Sequence, residues 1–259
     1  MVLFWPLGGL FVAFIVLPLI VLGATPSPAS LARVADMLDF RAALALSLEA
    51  AFLTAALAAL LGVPLAYVLA RSAFPGKAIV AAVIDLPLAV PHTVAGIALL
   101  MVFGRSGILG APAGAVFGIK FWGTIAGVVV AMLFVAAPYT VNAARIGFEA
   151  LDPRLEKVAR TLGLGPWRTL LRVSLPLARR SIMTGITLTF ARAISEFGAV
   201  VILVYYPMTA PVLIYEFFLR FGLDDAAAAS VLLLTVSLAL FILLRTFAFG
   251  ALVRGRFGR

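Results

Sequence analysis

The sequence contains no cysteine and a single histidine, His92. Disulfides, thiolate nucleophiles, iron–sulfur clusters and cysteine zinc sites are therefore excluded, and one histidine cannot build a His-rich metal site. Charge is scarce as well: 12% of the 259 residues are charged, about half the roughly 25% of a soluble domain. No G-x-x-x-x-G-K-[ST] phosphate loop occurs, so this chain cannot hydrolyse ATP by that route. Neither H-E-x-x-H nor G-x-S-x-G occurs, which removes the common zinc-hydrolase and serine-hydrolase arrangements. No catalytic or metal-ligating set remains. No soluble stretch is long enough to fold by itself, so residues 1–259 read as a single membrane domain.

What is present is apolar. Hydrophobic residues make up 64% of the chain, and the mean hydropathy is +1.18. Six segments reach the roughly 20 residues that a helix needs to cross a hydrocarbon core: Leu3–Gly23, Ala42–Ala70, Ala78–Phe103, Gly123–Phe148, Ser181–Tyr206 and Ala226–Ala251. The pattern predicts an all-α integral membrane protein with six transmembrane helices. The first segment has no preceding Lys or Arg and is long for a signal-peptide core, so it reads as a span.

The net charge of +9 fits basic cytoplasmic loops better than a nucleic-acid partner. With both termini inside, the cytoplasmic parts hold Arg71, Lys77, seven Lys or Arg between 149 and 180, and Arg254, Arg256 and Arg259. That is twelve, against five outside (Arg33, Arg41, Arg105, Lys120 and Arg220). The balance predicts an N-in, C-in topology.

The loop from 149 to 180 is patterned. Asp152-Pro153 reads as an N-cap followed by proline at the first helical position. Leu155, Val158, Ala159 and Leu162 recur at i, i+3, i+4 and i+7, forming an apolar face expected to pack on the membrane domain. Arg154, Lys157 and Arg160 fall on the other sides. Gly163 and Gly165 stop the helix, Pro166 starts a second one with Trp167, Leu170, Leu171 and Ser174 on one face, and Pro176 ends it. Such a basic helical pair serves a protein partner and an anionic lipid surface equally well.

Few ionisable groups lie at membrane depth, where they usually face a bundle interior. Arg192 and Glu196 are four apart and share a helix face; they read either as a mutually neutralising pair or as pore-lining groups. Thr93 and Ser195 are neutral donors that a pore lining would use. Glu49 and Asp85 read as packing or interfacial contacts and His92 as a packed, hydrogen-bonded side chain. Pro87 and Pro91 interrupt the helical ladder of the third segment, which marks it as a segment that lines a path. The stretch from Pro207 to Asp225 mixes aromatics with charges and reads as a short external helix.

Lys157-Val158-Ala159, three residues, Gly163, nine residues, Val173, one residue and Leu175-Pro176 resemble the EAA motif of ABC importer permeases. Lys157 and Val158 depart from the Glu and Ala of that pattern. Asp85-Leu86-Pro87, Pro91-His92-Thr93-Val94-Ala95-Gly96, Ile194-Ser195-Glu196-Phe197-Gly198-Ala199 and Tyr206-Pro207-Met208-Thr209-Ala210-Pro211 are similar to molybdate and tungstate permeases. Sulfate permeases share much of this pattern.

The resemblance implies a type I ABC importer permease in the plasma membrane. It implies a homodimer, two ATP-binding cassette subunits, and an external oxyanion-binding protein. ATP and Mg would sit on the partner ATPase, with no cofactor on this chain. The coupling loop would comprise Asp152, Pro153, Arg154, Leu155, Lys157, Val158, Ala159, Arg160, Gly163, Leu175 and Pro176. A stand-alone secondary transporter and a membrane-embedded enzyme are the competing classes. The first calls for internal repeats and the second for a catalytic constellation, and neither is visible.

Overall fold

A computed structural model describes residues 4–253. Thirteen α-helices occur among them, and no strand. In chain order they are α1 (Phe4–Ala24), α2 (Pro28–Asp36), α3 (Leu38–Arg71), α4 (Lys77–Ala89), α5 (His92–Phe103), α6 (Gly110–Phe117) and α7 (Ile125–Glu149). They continue as α8 (Pro153–Thr161), α9 (Pro166–Thr169), a π-helical turn (Leu170–Ser174), α10 (Leu175–Ile194), α11 (Gly198–Leu203), α12 (Ala210–Phe221) and α13 (Leu223–Val253). Arg254, Arg256 and Arg259, part of the inside charge count, lie outside the described residues, as does Leu3.

Among the described residues, four helices are long and apolar enough to cross a membrane: α1, α3, α7 and α13. The third sequence segment is α4 and α5, bent by 114° between them, where Val90-Pro91 interrupts the ladder as the prolines lead one to expect. The fifth segment differs from expectation. It begins at Leu175, carries Arg179, Arg180 and Arg192, and breaks at Ser195–Phe197 before resuming as α11. The structure therefore supplies four unbroken apolar spans and one bent pair, with α10 and α11 as a second broken unit.

The core lies where α3, α7 and α10 meet. Ala50, Ala51 and Ala55 of α3 pack with Val128, Ala131, Met132, Val135 and Ala136 of α7 and Phe190, Ala193 and Ile194 of α10. Small residues dominate because helices in lipid associate by close packing rather than by hiding apolar surface from water. α10 approaches α7 closely at Gly185, where a Cβ would meet the Ala143 Cβ and the Thr140 Cα at 2.9 Å. One turn further on, the buried Thr189 hydroxyl donates to the Ala136 carbonyl (3.0 Å) and shares a 2.7 Å bond with the Thr140 hydroxyl.

The two ends of α3 define the two faces of the molecule. Near its start, Val34, Phe40 and Ala43 cluster with Leu213 and Phe217 of α12 and with Ala226, Ala228 and Ala229 of α13. The predicted external helix is α12, seated where the Ala210 N–H donates to the Ser47 hydroxyl (2.7 Å). At the other end of α3 sits the loop carrying α8.

A Gly185→Leu substitution has no room between α10 and α7. It is expected to destabilise the bundle by about 1–3 kcal/mol, seen as a lower melting midpoint of the detergent-solubilised protein. Gly185→Ala is expected to cost less.

Candidate functional site

The loop from 149 to 180 is built around one buried carboxylate. The Asp152 side chain caps α8, accepting from the Arg154 N–H at 2.9 Å. Gly163 (φ +86°) closes the helix in a Schellman turn: the Gly163 N–H donates to Arg160 O (3.0 Å) and the Leu164 N–H to Ala159 O (3.1 Å). Between these ends lies Glu156, only 6% exposed. It accepts from the Arg71 guanidinium (Nε, 2.9 Å), the Tyr67 hydroxyl (3.2 Å) and the Ser174 hydroxyl (2.8 Å). Arg71 also donates to the Leu151 carbonyl at 3.1 Å. Tyr67 is braced edge-on against Phe148.

This anchor rotates α8 away from the expected orientation. Glu156 and Ala159 face the bundle, while Leu155, Val158 and Leu162 are 48%, 57% and 79% exposed. Of the apolar stripe read from the sequence as an inner face, Ala159 does face inward, but Leu155, Val158 and Leu162 face outward. A long-range ion pair decides the rotation; the stripe does not. In the second part of the loop Thr169, Leu170 and Ser174 are buried, while Trp167 and Leu171 project outward. Arg154, Lys157, Arg160, Arg168 and Arg172 are all exposed around these apolar groups.

Pro176 does not end the second helix, as expected from sequence, but stands in the first turn of α10. Proline lacks an N–H and crowds the carbonyl four residues back. The chain widens beforehand into the π-helical turn, with the Leu175 N–H reaching the Leu170 carbonyl, so the helix runs on. Leu175 packs against the cluster of Leu170, Ala178 and Ile182.

A second polar cluster lies where the two broken helices meet. Gly198 at the start of α11 sits against His92 at the start of α5; a Cβ there would lie 2.7 Å from the His92 Cβ. Gly96 is packed as tightly on Ile202. Across this contact Arg192 Nη2 donates to Glu196 Oε2 at 2.6 Å and lies 2.9 Å from His92 Nε2. The Glu196 Oε1 accepts from the Ala199 N–H at 2.8 Å. Glu196 is 1% exposed; its carboxylate is turned into the helix junction, not onto an open lining. Thr93 and Ser195 are exposed beside it. Elsewhere Asp85 accepts from Asn142 (2.6 Å), which ties α4 to α7. Glu49 is exposed on α3, with no hydrogen bond or ion pair among the described residues.

Residues 62–257 match the family described as "Binding-protein-dependent transport system inner membrane component". The chain belongs to this family. It is 49% identical over 199 residues to the molybdate/tungstate transport system permease protein of Thermococcus kodakarensis, covering 77% of this chain and 75% of that one. It is 42% identical over 255 residues to the protein of the same description from Pyrococcus abyssi, covering 94% and 93%. A bacterial ABC transporter involved in the import of the acidic polysaccharide alginate superposes with a TM-score of 0.77 at 15% identity, covering 100% of this chain and 95% of that one. That likeness establishes a shared importer-permease fold.

Permease membership makes the chain a transport subunit rather than an enzyme, embedded in a membrane by several passes. It implies a separate ATPase and a binding protein as working partners.

Sequence reasoning gave the limits of α8 but missed Glu156. The available signal was that Glu156 is the sole acid between 153 and 180, in an otherwise basic loop. It stands one position before Lys157, so the acidic contact that Lys157 cannot make comes from its neighbour.

Burial opposes ionisation of Glu156, but the Ser174 hydroxyl, Arg71 and Tyr67 outweigh it and hold the carboxyl below its usual range. Since the folded-state pKa lies below the unfolded one, this contribution is complete above the ordinary value of 4.5 and is lost as the pH falls through the lower folded value. Glu156→Gln leaves Arg71 without its anion and is expected to cost about 1–3 kcal/mol. Limited proteolysis within 149–180 at neutral pH checks this: faster cleavage of the variant is the expected result.

Proposed function

We propose that this chain is the membrane-spanning subunit of an ATP-driven importer for a tetrahedral oxyanion, with molybdate and tungstate ahead of sulfate. The observation that carries the proposal is the outward face of α8. Glu156 fixes the helix from below, and Leu155, Val158 and Leu162 stand free among basic side chains. A contiguous exposed apolar group rimmed by charge suits a protein groove. A partner ATPase fits this description, and α8 would be its coupling helix, with Asp152, Pro153, Arg154, Lys157, Ala159, Arg160 and Gly163 shaping it.

The working unit is read as a homodimer with two ATPase subunits, which hold ATP and Mg, and one external oxyanion-binding protein. Glu49 supports the second copy, since an unpaired carboxylate on a membrane helix calls for a partner surface or a watered path. The six-span, N-in and C-in topology in the plasma membrane completes this reading, with 149–180 as the cytoplasmic coupling loop of a single domain. The choice of anion follows relatives over nearly the whole chain.

Leu155→Glu and Val158→Glu alter only exposed positions, so the fold is expected to persist. Co-purification of the ATPase is expected to fall at least about tenfold, the effect of losing roughly 1.4 kcal/mol at an interface. Undiminished co-purification in both variants contradicts the assignment. In proteoliposomes holding the full complex, molybdate and tungstate are expected to be taken up ahead of sulfate; sulfate preference reverses the anion assignment.

A further inference from the structure

The pair Arg192–Glu196 leaves much of the guanidinium unused. A guanidinium offers five N–H donors in a fixed fork, and Arg–carboxylate pairs are frequently bidentate. Here a single nitrogen, Nη2, serves both Glu196 (2.6 Å) and His92 (2.9 Å). Nη1 reaches only the Ser195 hydroxyl, at 3.5 Å, and Nε has no hydrogen-bond partner among the described residues. Glu196 does not complete the fork; its second oxygen accepts from the Ala199 N–H instead. The carboxylate lowers the local net charge and fixes Nη2, leaving the rest of the guanidinium without strong partners.

The surroundings fit that arrangement. Glu196 is buried, but the Arg192 side chain is 20% exposed and that of His92 45% exposed. The cluster sits where the α4–α5 break and the α10–α11 break come together. Exposed Thr93 and Ser195 add hydroxyl donors beside it. Irregular backbone at membrane depth is tolerated where it is enclosed by protein or lines a cavity.

We propose that Arg192 is the group that handles the anion in the translocation path. Its Nε, and its Nη1 held only by the long Ser195 contact, bind a divalent oxyanion while Nη2 stays with Glu196. The retained pair keeps the anion's hold weak, since a site on a path must release what it binds. Glu196 and His92 are positioning residues: Glu196 orients the fork and tempers its charge, and His92 flanks it. This inference rests on the permease reading above and names a specificity-determining residue within it.

The test uses the complete complex in proteoliposomes, with its ATPase and binding protein, and molybdate or tungstate as probe. The readout is anion carried per ATP hydrolysed, which a purely structural pair would not set. Arg192→Gln is expected to lower that ratio at least about tenfold, since one charge-assisted hydrogen bond is worth that much. Arg192→Lys, which keeps the charge but not the fork, is expected to fall between. The double variant Arg192→Gln/Glu196→Gln decides the matter, because it removes both charges and leaves no buried unpaired carboxylate. The proposal requires it to remain as defective as the single variant; recovery to the wild-type ratio overturns it and makes the pair structural. If Arg192→Gln does not assemble, the Lys and double variants carry the same decision. Failure of the wild-type complex to couple ATP hydrolysis to anion uptake would sink the permease reading itself, a separate result read before any variant.

Discussion

A carboxylate taken out of water must be held by donors, and Glu156 is held by three from two separate parts of the chain. Tyr67 and Arg71 come from the end of α3, and Ser174 from the turn preceding α10. Removing such a group from solvent costs several kcal/mol unless its lone pairs are satisfied, so the rotation of α8 about its axis is fixed. Everything that α8 shows outward follows from that rotation. With Glu156 inward, the apolar stripe one step round the helix has no place against the bundle and stands open to a partner.

The same anchor joins the loop to the centre of the membrane domain. Ser174 lies one residue before α10, and α10 runs 20 residues to Ile194, about 30 Å of helix. Near its far end is Arg192, at the meeting of the two helix breaks. Along the way α10 is locked to α7 by the Gly185 contact and by the Thr140–Thr189 bond, and to α3 through Phe190 and the alanines. Under the proposed coupling, a push on α8 would be received by α3 and α10 together, which are packed closely enough to shift as bodies.

Local features were readable from the sequence and long-range ones were not. Asp152, Pro153 and Gly163 set the ends of α8 through capping and a left-handed glycine, interactions spanning a few residues, and the structure keeps both ends. The inward face of α8 depends on Tyr67 and Arg71, which lie 89 and 85 residues from Glu156; no local periodicity carries that information. Pro87 and Pro91 announced the break in the third segment. The break at Ser195–Phe197 has no proline to announce it and is held by Glu196 reaching the Ala199 N–H. Pro176 looked like a terminator because its missing N–H was weighed without the widened turn that accommodates it. The EAA-like pattern drew attention to the loop from 149 to 180 and to Lys157, one residue away from Glu156, the side chain that ties α8 to the bundle.

The native chain has no cysteine, so single cysteines report position cleanly. α8 buries Glu156 and Ala159 and turns Val158 outward, where the proposed ATPase would meet it. Val158→Cys and Ala159→Cys, each placed alone in the assembled complex and treated with a short bifunctional thiol–amine reagent, test that directly. An ATPase cross-link from Val158→Cys and little or none from Ala159→Cys is the expected result. Cross-linking from Ala159→Cys with none from Val158→Cys would contradict it.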